Sequence, residues 1–214
     1  MSYQTEDEQI EGLKEMWQRH GVPVLTGVVL ALAGVLGWNG WTNHQENKAV
    51  NASALYQNML ESVLGDDSEA SLARGAELAE QLRSEYPGTQ YANYAGLMQA
   101  RLAVDSGDFA AAESLLREVA GEADEVALKE VATQRLARVL AQLDRAEEAL
   151  ELFDSSVTGE LLSGREEVRG DLLLSLGRLS DARQAYQAAL QATTDQRARP
   201  QLQLKIDDLA EEAS

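Results

Sequence analysis

Three stretches decide the fold: GDFAAAESLLREVA at 107–120, LDRAEEALELFDSS at 143–156 and GRLSDARQAYQAAL at 177–190. They superimpose on a small residue, Ala112, Ala149 and Ala182, spaced 37 and 33 apart. Four positions further on each carries a large residue, Leu116, Phe153 or Tyr186, on the same helical face. Twelve positions before each alanine stands another small residue, Ala100, Ala137 or Gly170. Small residues let paired helices approach closely, and the large ones fill the gap to the next pair. From residue 49 onward apolar residues recur at three and four, and nothing alternates with period two, so every element is expected to be helical. Breaks are expected at Gly65-Asp66-Asp67, Pro87-Gly88, Ser106-Gly107-Asp108, Gly121, Leu143-Asp144, Ser155 to Gly159, Gly177 and Thr193-Thr194. The helices between them run roughly twelve to sixteen residues, an ordinary length for a helical domain.

The pattern resembles the tetratricopeptide repeat, a helix–turn–helix unit of about 34 residues. A fourth, degenerate copy precedes the three: Gly75, Ala79 and Leu82 take its second-helix positions, and Pro87 falls where that family places a terminating proline. The chain departs from the family pattern in places. Tryptophan is absent from the usual first-helix position, Leu82 and Val119 replace a small residue, and the first helix of the 96–104 copy lacks large residues. After the last copy, Pro200 opens a helix whose Leu202, Ile206 and Leu209 form one stripe, with Asp207, Asp208, Glu211 and Glu212 facing away. Such a helix covers the last apolar surface of an open stack.

Ahead of the repeats lies VPVLTGVVLALAGVLGWNGW at 22–41, twenty residues without a formal charge. At ~1.5 Å rise per residue this is about the thickness of a bilayer's hydrocarbon core, so it is expected to span a membrane. A removable signal peptide would begin with a basic region and end on small residues. Here Glu6, Asp7, Glu8, Glu11 and Glu15 outnumber Lys14 and Arg19 before it, and Trp38 and Trp41 close it, so it is expected to be retained. Trp17, Trp38 and Trp41 match aromatic belts at the two headgroup layers, and Pro23 suits a first helical turn. Lys14 and Arg19 before the span against Lys48 shortly after it lean toward a cytoplasmic amino terminus. Gly27, Ala31 and Gly34 make a bare face that admits a second transmembrane helix, or they reflect only the frequency of glycine in membrane helices. Before the span, Thr5-Glu6-Asp7-Glu8 has capping-box spacing, and Ile10, Leu13, Met16 and Trp17 share one face of a short amphipathic helix.

The net charge is −18, of which −3 falls in residues 1–20 and −15 in residues 46–214. A domain that acidic is repelled by nucleic acid and by anionic headgroups, so neither is expected as a partner. No cysteine is present, which removes disulfides, thiolate metal sites and cysteine nucleophiles. The two histidines, His20 and His44, flank the span and cannot share a site. Serine elbows, phosphate-binding glycine loops and H-E-x-x-H are missing. No enzyme, cofactor or metal is expected. What the stack does offer is one groove built from the first helices of the pairs. Its expected residues are Tyr94, Leu97, Arg101, Gln134, Arg138 and Asp171. Arg101 and Arg138 either clamp a partner's carboxylates or pair with nearby acids such as Glu130.

The combination resembles the YfgM-like ancillary subunit family of the bacterial SecYEG translocon. The resemblance rests on E-G-L-K-E-M-W at 11–17, G-W-N-G-W-T-N-H-Q at 37–45, A-L-Y-Q-N at 54–58, R-L-A-R-V-L-A-Q-L at 135–143 and R-G-D-L-L-L-S-L-G at 169–177. A-R-Q-A-Y-Q-A-A-L at 182–190 and L-K-I-D-D-L-A at 204–210 complete it. It implies an inner-membrane protein with its amino terminus in the cytoplasm and its repeats in the periplasm. It also implies association with SecYEG and with a PpiD-like periplasmic chaperone, and help in passing unfolded, newly exported polypeptides onward. The family has no catalytic residues to transfer. A membrane-anchored scaffold for other envelope assembly is the alternative. The expected architecture is thus all-α, a single N-terminal transmembrane helix followed by a tetratricopeptide-like helical-hairpin superhelix with a C-terminal capping helix. Its expected divisions are a cytoplasmic amphipathic segment at 1–21, the span at 22–41, a connector at 42–52 and the repeat domain at 53–214.

Overall fold

The computed structural model describes residues 6–65, 68–153 and 157–212. The Thr5 to Glu8 capping box, the Ile10, Leu13 and Met16 side chains, His20, and the side chains of Glu211 and Glu212 lie outside the described residues. Those described are helical apart from the turns, in the order α1 (Glu6–Gly65), α2 (Glu69–Glu85), α3 (Gln90–Asp105), α4 (Phe109–Glu122) and α5 (Val126–Gln142). There follow α6 (Ala146–Glu151), α7 (Glu160–Ser175), α8 (Leu179–Ala192) and α9 (Ala198–Glu212). The chain divides into two compact units, Met1–Asn51 and Ala52–Ser214.

In the first unit the apolar stretch of α1 is exposed. Leu30, Leu36 and Trp38 are each about two-thirds exposed (67%, 70% and 65%), and no other element covers them. By length and composition α1 can cross a bilayer, the only helix among the described residues that can. The Trp38 and Trp41 rings lie 5.7 Å apart. Thr42 donates its hydroxyl to the Trp38 carbonyl at 3.0 Å and so hides its polar group against the backbone. Pro23 is not in a first turn. It sits well inside α1, because the helix before the span and the span itself are continuous. Proline costs one backbone bond there, and apolar membrane helices tolerate that loss.

In the second unit the end of α1 and α2 form one pair, followed by α3 with α4, α5 with α6, and α7 with α8, each packing on the next, and α9 closing the stack on α8. The aligned small residues are the contact points: Ala100, Ala112, Ala137, Ala149 and Ala182 are at most 2% exposed. Gly170 lies so close to the Tyr186 ring that a Cβ there would stand 2.9 Å from Cζ. The departures from the repeat pattern are compensated in the same way. Val119 is larger than its family position, and a Cβ on Gly96 opposite it would lie 2.7 Å from Val119 Cγ2. Across α9, Leu202, Ile206 and Leu209 are buried while Asp207 and Asp208 are exposed.

One turn recurs three times. Gly107 (φ 80°), Asp144 (φ 59°) and Gly177 (φ 71°) each follow a first helix in the left-handed region. In each case the next amide reaches back to close the helix: Asp108 to the Ala103 carbonyl (2.8 Å), Arg145 to Leu140 (2.9 Å) and Arg178 to Leu173 (2.9 Å). Two sequence expectations differ from what is found. Gly121 does not break a helix. It lies in the last turn of α4, open on all sides, and the connection comes two residues later, where Ala123 is extended. α6 is only six residues long, since D-S-S-V-T-G at 154–159 is poor helix-forming sequence.

Candidate interaction groove

One face of α3 carries residues at helical spacing, and its two ends differ in chemistry. At the amino-terminal end Tyr91 and Tyr94 lie with Tyr56 of α1, the Tyr56 ring 5.6 Å from each. Burial, and after it Tyr94 and Tyr91, push the Tyr56 hydroxyl above its ordinary value. Leu97, one turn on, is 7% exposed and belongs to the core rather than to the open face.

At the other end α3 and α5 are not closely packed, unlike α5 and α7. The space between them is a cleft of about 570 Å³. Val104, Phe109, Leu116 and Val139 form its apolar floor, and Arg101, Arg135 and Arg138 stand over it. No carboxylate lines it, in a chain with 36 acidic residues. Arg101 meets Asp105 at 3.5 Å with both side chains 60% exposed, a geometry that contributes little in water. Arg135 and Arg138 have no acidic partner among the described residues. Partial burial, then the charges of Arg138 and Arg101, hold the Arg135 guanidinium below its usual value. Arg135 and Arg138 therefore stand beside Arg101 with no acid of their own among the described residues. Arg135 was not among the residues expected from sequence, although Arg135, Arg138 and Gln142 share one face at i, i+3 and i+7.

Glu130 is not available to these arginines. Its carboxylate takes the Arg165 guanidinium of α7 in two places, Nε at 2.8 Å among them, and Gln134 at 3.1 Å. Both members of the pair are nearly inaccessible, at 3% and 4%. Arg165 also stacks over the Phe153 ring, 5.4 Å from its centroid. Gln134 is thereby turned into the α5–α7 joint, with Gly164 against its amide. Asp171 of α7, the position equivalent to Arg101 of α3 and Arg138 of α5, is engaged too. It accepts the Tyr186 hydroxyl at 2.8 Å and Lys205 of α9 at 2.7 Å, so it serves the cap. Of the six groove residues expected from sequence, the cleft brings together only Arg101 and Arg138.

Among the described residues Gly27 and Gly34 of α1 have nothing within 4 Å of a Cβ added there, and Ala31 between them is exposed. No group of three His, Cys, Asp or Glu side chains among the described residues is placed to hold a metal ion.

The family model of the tetratricopeptide repeat-like domain matches residues 14–211. Among curated proteins, the chain is similar to the ancillary SecYEG translocon subunit of Escherichia coli (strain K12), 31% identical over 97% of this chain and 98% of that one. It is 30% identical to the protein of the same name from Haemophilus influenzae, over 90% of this chain and 92% of the relative. The Neisseria gonorrhoeae protein of that name is 27% identical over 95% and 97%.

Proposed function

This chain belongs to the tetratricopeptide repeat-like family of ancillary SecYEG translocon subunits, and from that premise we propose that it is a non-enzymatic adaptor of the translocon. It sits in the bacterial inner membrane through residues 22–41, with residues 1–21 in the cytoplasm and the repeats in the periplasm. There it links the channel to a PpiD-like chaperone and helps newly exported, unfolded chains move onward. The observation that carries this reading is a bare apolar helix joined to a stack whose first helices leave an open cleft. Such an arrangement binds without reacting. Anchoring raises the effective concentration of cleft and partner, so contacts that would be weak in solution suffice beside the channel. The bare Gly27, Ala31 and Gly34 face gives a neighbouring membrane helix room for close approach.

The test is purification of the tagged full chain in a mild detergent. Recovery of SecY and the PpiD-like chaperone, and their loss when residues 1–41 are removed, is the expected result. Absence of both from the intact protein overturns the proposal. An alkaline phosphatase domain fused after Ser214 is expected to be active, and an inactive fusion refutes the periplasmic placement.

A further inference from the structure

We propose that the cleft between α3 and α5 receives a short acidic segment of a partner polypeptide, its carboxylates held by Arg101, Arg135 and Arg138 and a bulky apolar side chain seated on the floor between them. The inference rests on the adaptor reading and names the chemistry its groove recognises. The cleft's volume, about 570 Å³, falls among pockets of ~300–1,000 Å³ that bury a compact ligand. Its floor of Val104, Phe109, Leu116 and Val139 calls for an apolar group. Its rim calls for negative charge: three guanidinium groups face it, and Arg101 alone has an acid nearby, an exposed one at 3.5 Å. Planar guanidinium groups hold carboxylates in two places at once, which fixes orientation as well as charge.

The rest of the domain narrows the occupant. With −15 carried by residues 46–214, an extended polyanion or an anionic membrane is repelled by the domain at large. A short chain segment needs contact with the cleft alone. Three guanidinium groups lining one depression of an acidic domain therefore favour a few carboxylates on a narrow, flexible chain. The tyrosine cluster of Tyr56, Tyr91 and Tyr94 lies further along α3 and offers the same chain a second, neutral surface.

The test uses the full chain in detergent and a fluorescein-labelled peptide, GSDLFEDSG, read by fluorescence anisotropy. Saturable binding is expected, with at least tenfold weaker binding of the amide analogue GSNLFQNSG and of GSDAAEDSG, which lacks the apolar pair. Arg135→Ala and Arg138→Ala each weaken binding about tenfold or more, in line with loss of a charge-assisted hydrogen bond. Both positions are exposed, so their melting curves remain those of the parent. Val104→Glu, at a partly exposed floor position, supplies a carboxylate in cis and abolishes binding. Equal binding of the amide peptide overturns the inference, as do unaltered affinities in the arginine variants. Binding of phosphatidylglycerol vesicles through the same arginines, undisturbed by the peptide, does so too. Failure of the peptide while the wild-type chain still recovers SecY overturns the cleft chemistry alone. Failure to recover SecY overturns the adaptor reading on which it rests.

Discussion

Glu130 and Arg165 form an ion pair that is almost wholly removed from water, and breaking it should be the most damaging single polar change in the repeat domain. Glu130→Ala takes from a guanidinium 4% exposed the bonds it makes to that carboxylate, and the guanidinium cannot shed its charge. Removing one member of a buried pair costs about 3–5 kcal/mol, because the survivor's desolvation is no longer offset. In a domain of this size about 1 kcal/mol shifts the midpoint by about 2–4 °C, so the expected fall is about 6–20 °C. A domain near the low end of ordinary stability, about 5 kcal/mol, would barely fold. Replacing both residues, Glu130→Met with Arg165→Met, removes the buried charge together with its partner and keeps most of the volume. It still loses the Gln134 bond at 3.1 Å and the contact with Phe153, so a cost of about 1–2 kcal/mol remains, well short of the summed single changes. Urea unfolding of the full chain in detergent, followed by far-UV circular dichroism, reads this directly, with the membrane part of α1 as a constant helical background. If the double variant is as unstable as Glu130→Ala, the damage comes from lost packing and not from a stranded charge. If Glu130→Ala lowers the unfolding free energy by less than about 1 kcal/mol, the pair is not buried as described.

Gly170→Ala places a Cβ against a Tyr186 ring held by its hydroxyl bond to Asp171 and by Lys205 over its face. Overpacking costs about 1–3 kcal/mol and alanine's better helix propensity returns about 0.5–1, so a net loss of about 0.5–2 kcal/mol is expected in urea unfolding. Asp144→Gly relieves an exposed side chain at φ 59°, and a rise of about 1–4 °C in the thermal midpoint is expected, with no change in the cleft. Glu113 is held below the usual carboxylate range by its hydrogen bond from Arg145, then by that from Arg117. Its folded pKa is depressed, so its stabilisation is complete above the unfolded value, about 4.3, and is lost as pH falls through the folded one. The gap in urea midpoint between wild type and Glu113→Gln is therefore expected to be full at neutral pH and to close in acid below about pH 4.

The repeat was legible because helix-to-helix contact leaves a local mark. A position that must be small, such as Ala112 or Gly170, is small in the sequence whatever lies across from it. The turns were legible where glycine supplies the left-handed residue, at Gly107 and Gly177, and Asp144 followed from their spacing. Gly121 misled because glycine marks a turn only where the backbone needs it, and in the last turn of α4 it needs nothing. Pro23 misled for a related reason, since a proline compatible with a helix start is also tolerated within a long apolar helix. The compensation of Val119 by Gly96 is a relation between two helices and carries no signal in either alone. Arg165 escaped notice because its partner lies 35 residues earlier, one repeat back.

Candidate binding residues divided along the same line. Sequence register placed Arg101, Arg138 and Asp171 at one equivalent position in three successive pairs, and the backbone carries all three alike. Their surroundings differ because charge is settled by neighbours from other helices. Lys205 of α9 reaches Asp171 and draws it into the cap, while Glu130, the acid nearest in sequence to Arg135, is taken by Arg165 from α7. That second pairing is what leaves the arginines of α5 uncompensated. The same buried bond that fixes α5 on α7 thus withholds from Arg135 and Arg138 the carboxylate that would otherwise neutralise them. Stability of the α5–α7 joint and positive charge in the cleft between α3 and α5 are, on this geometry, consequences of one choice of partner.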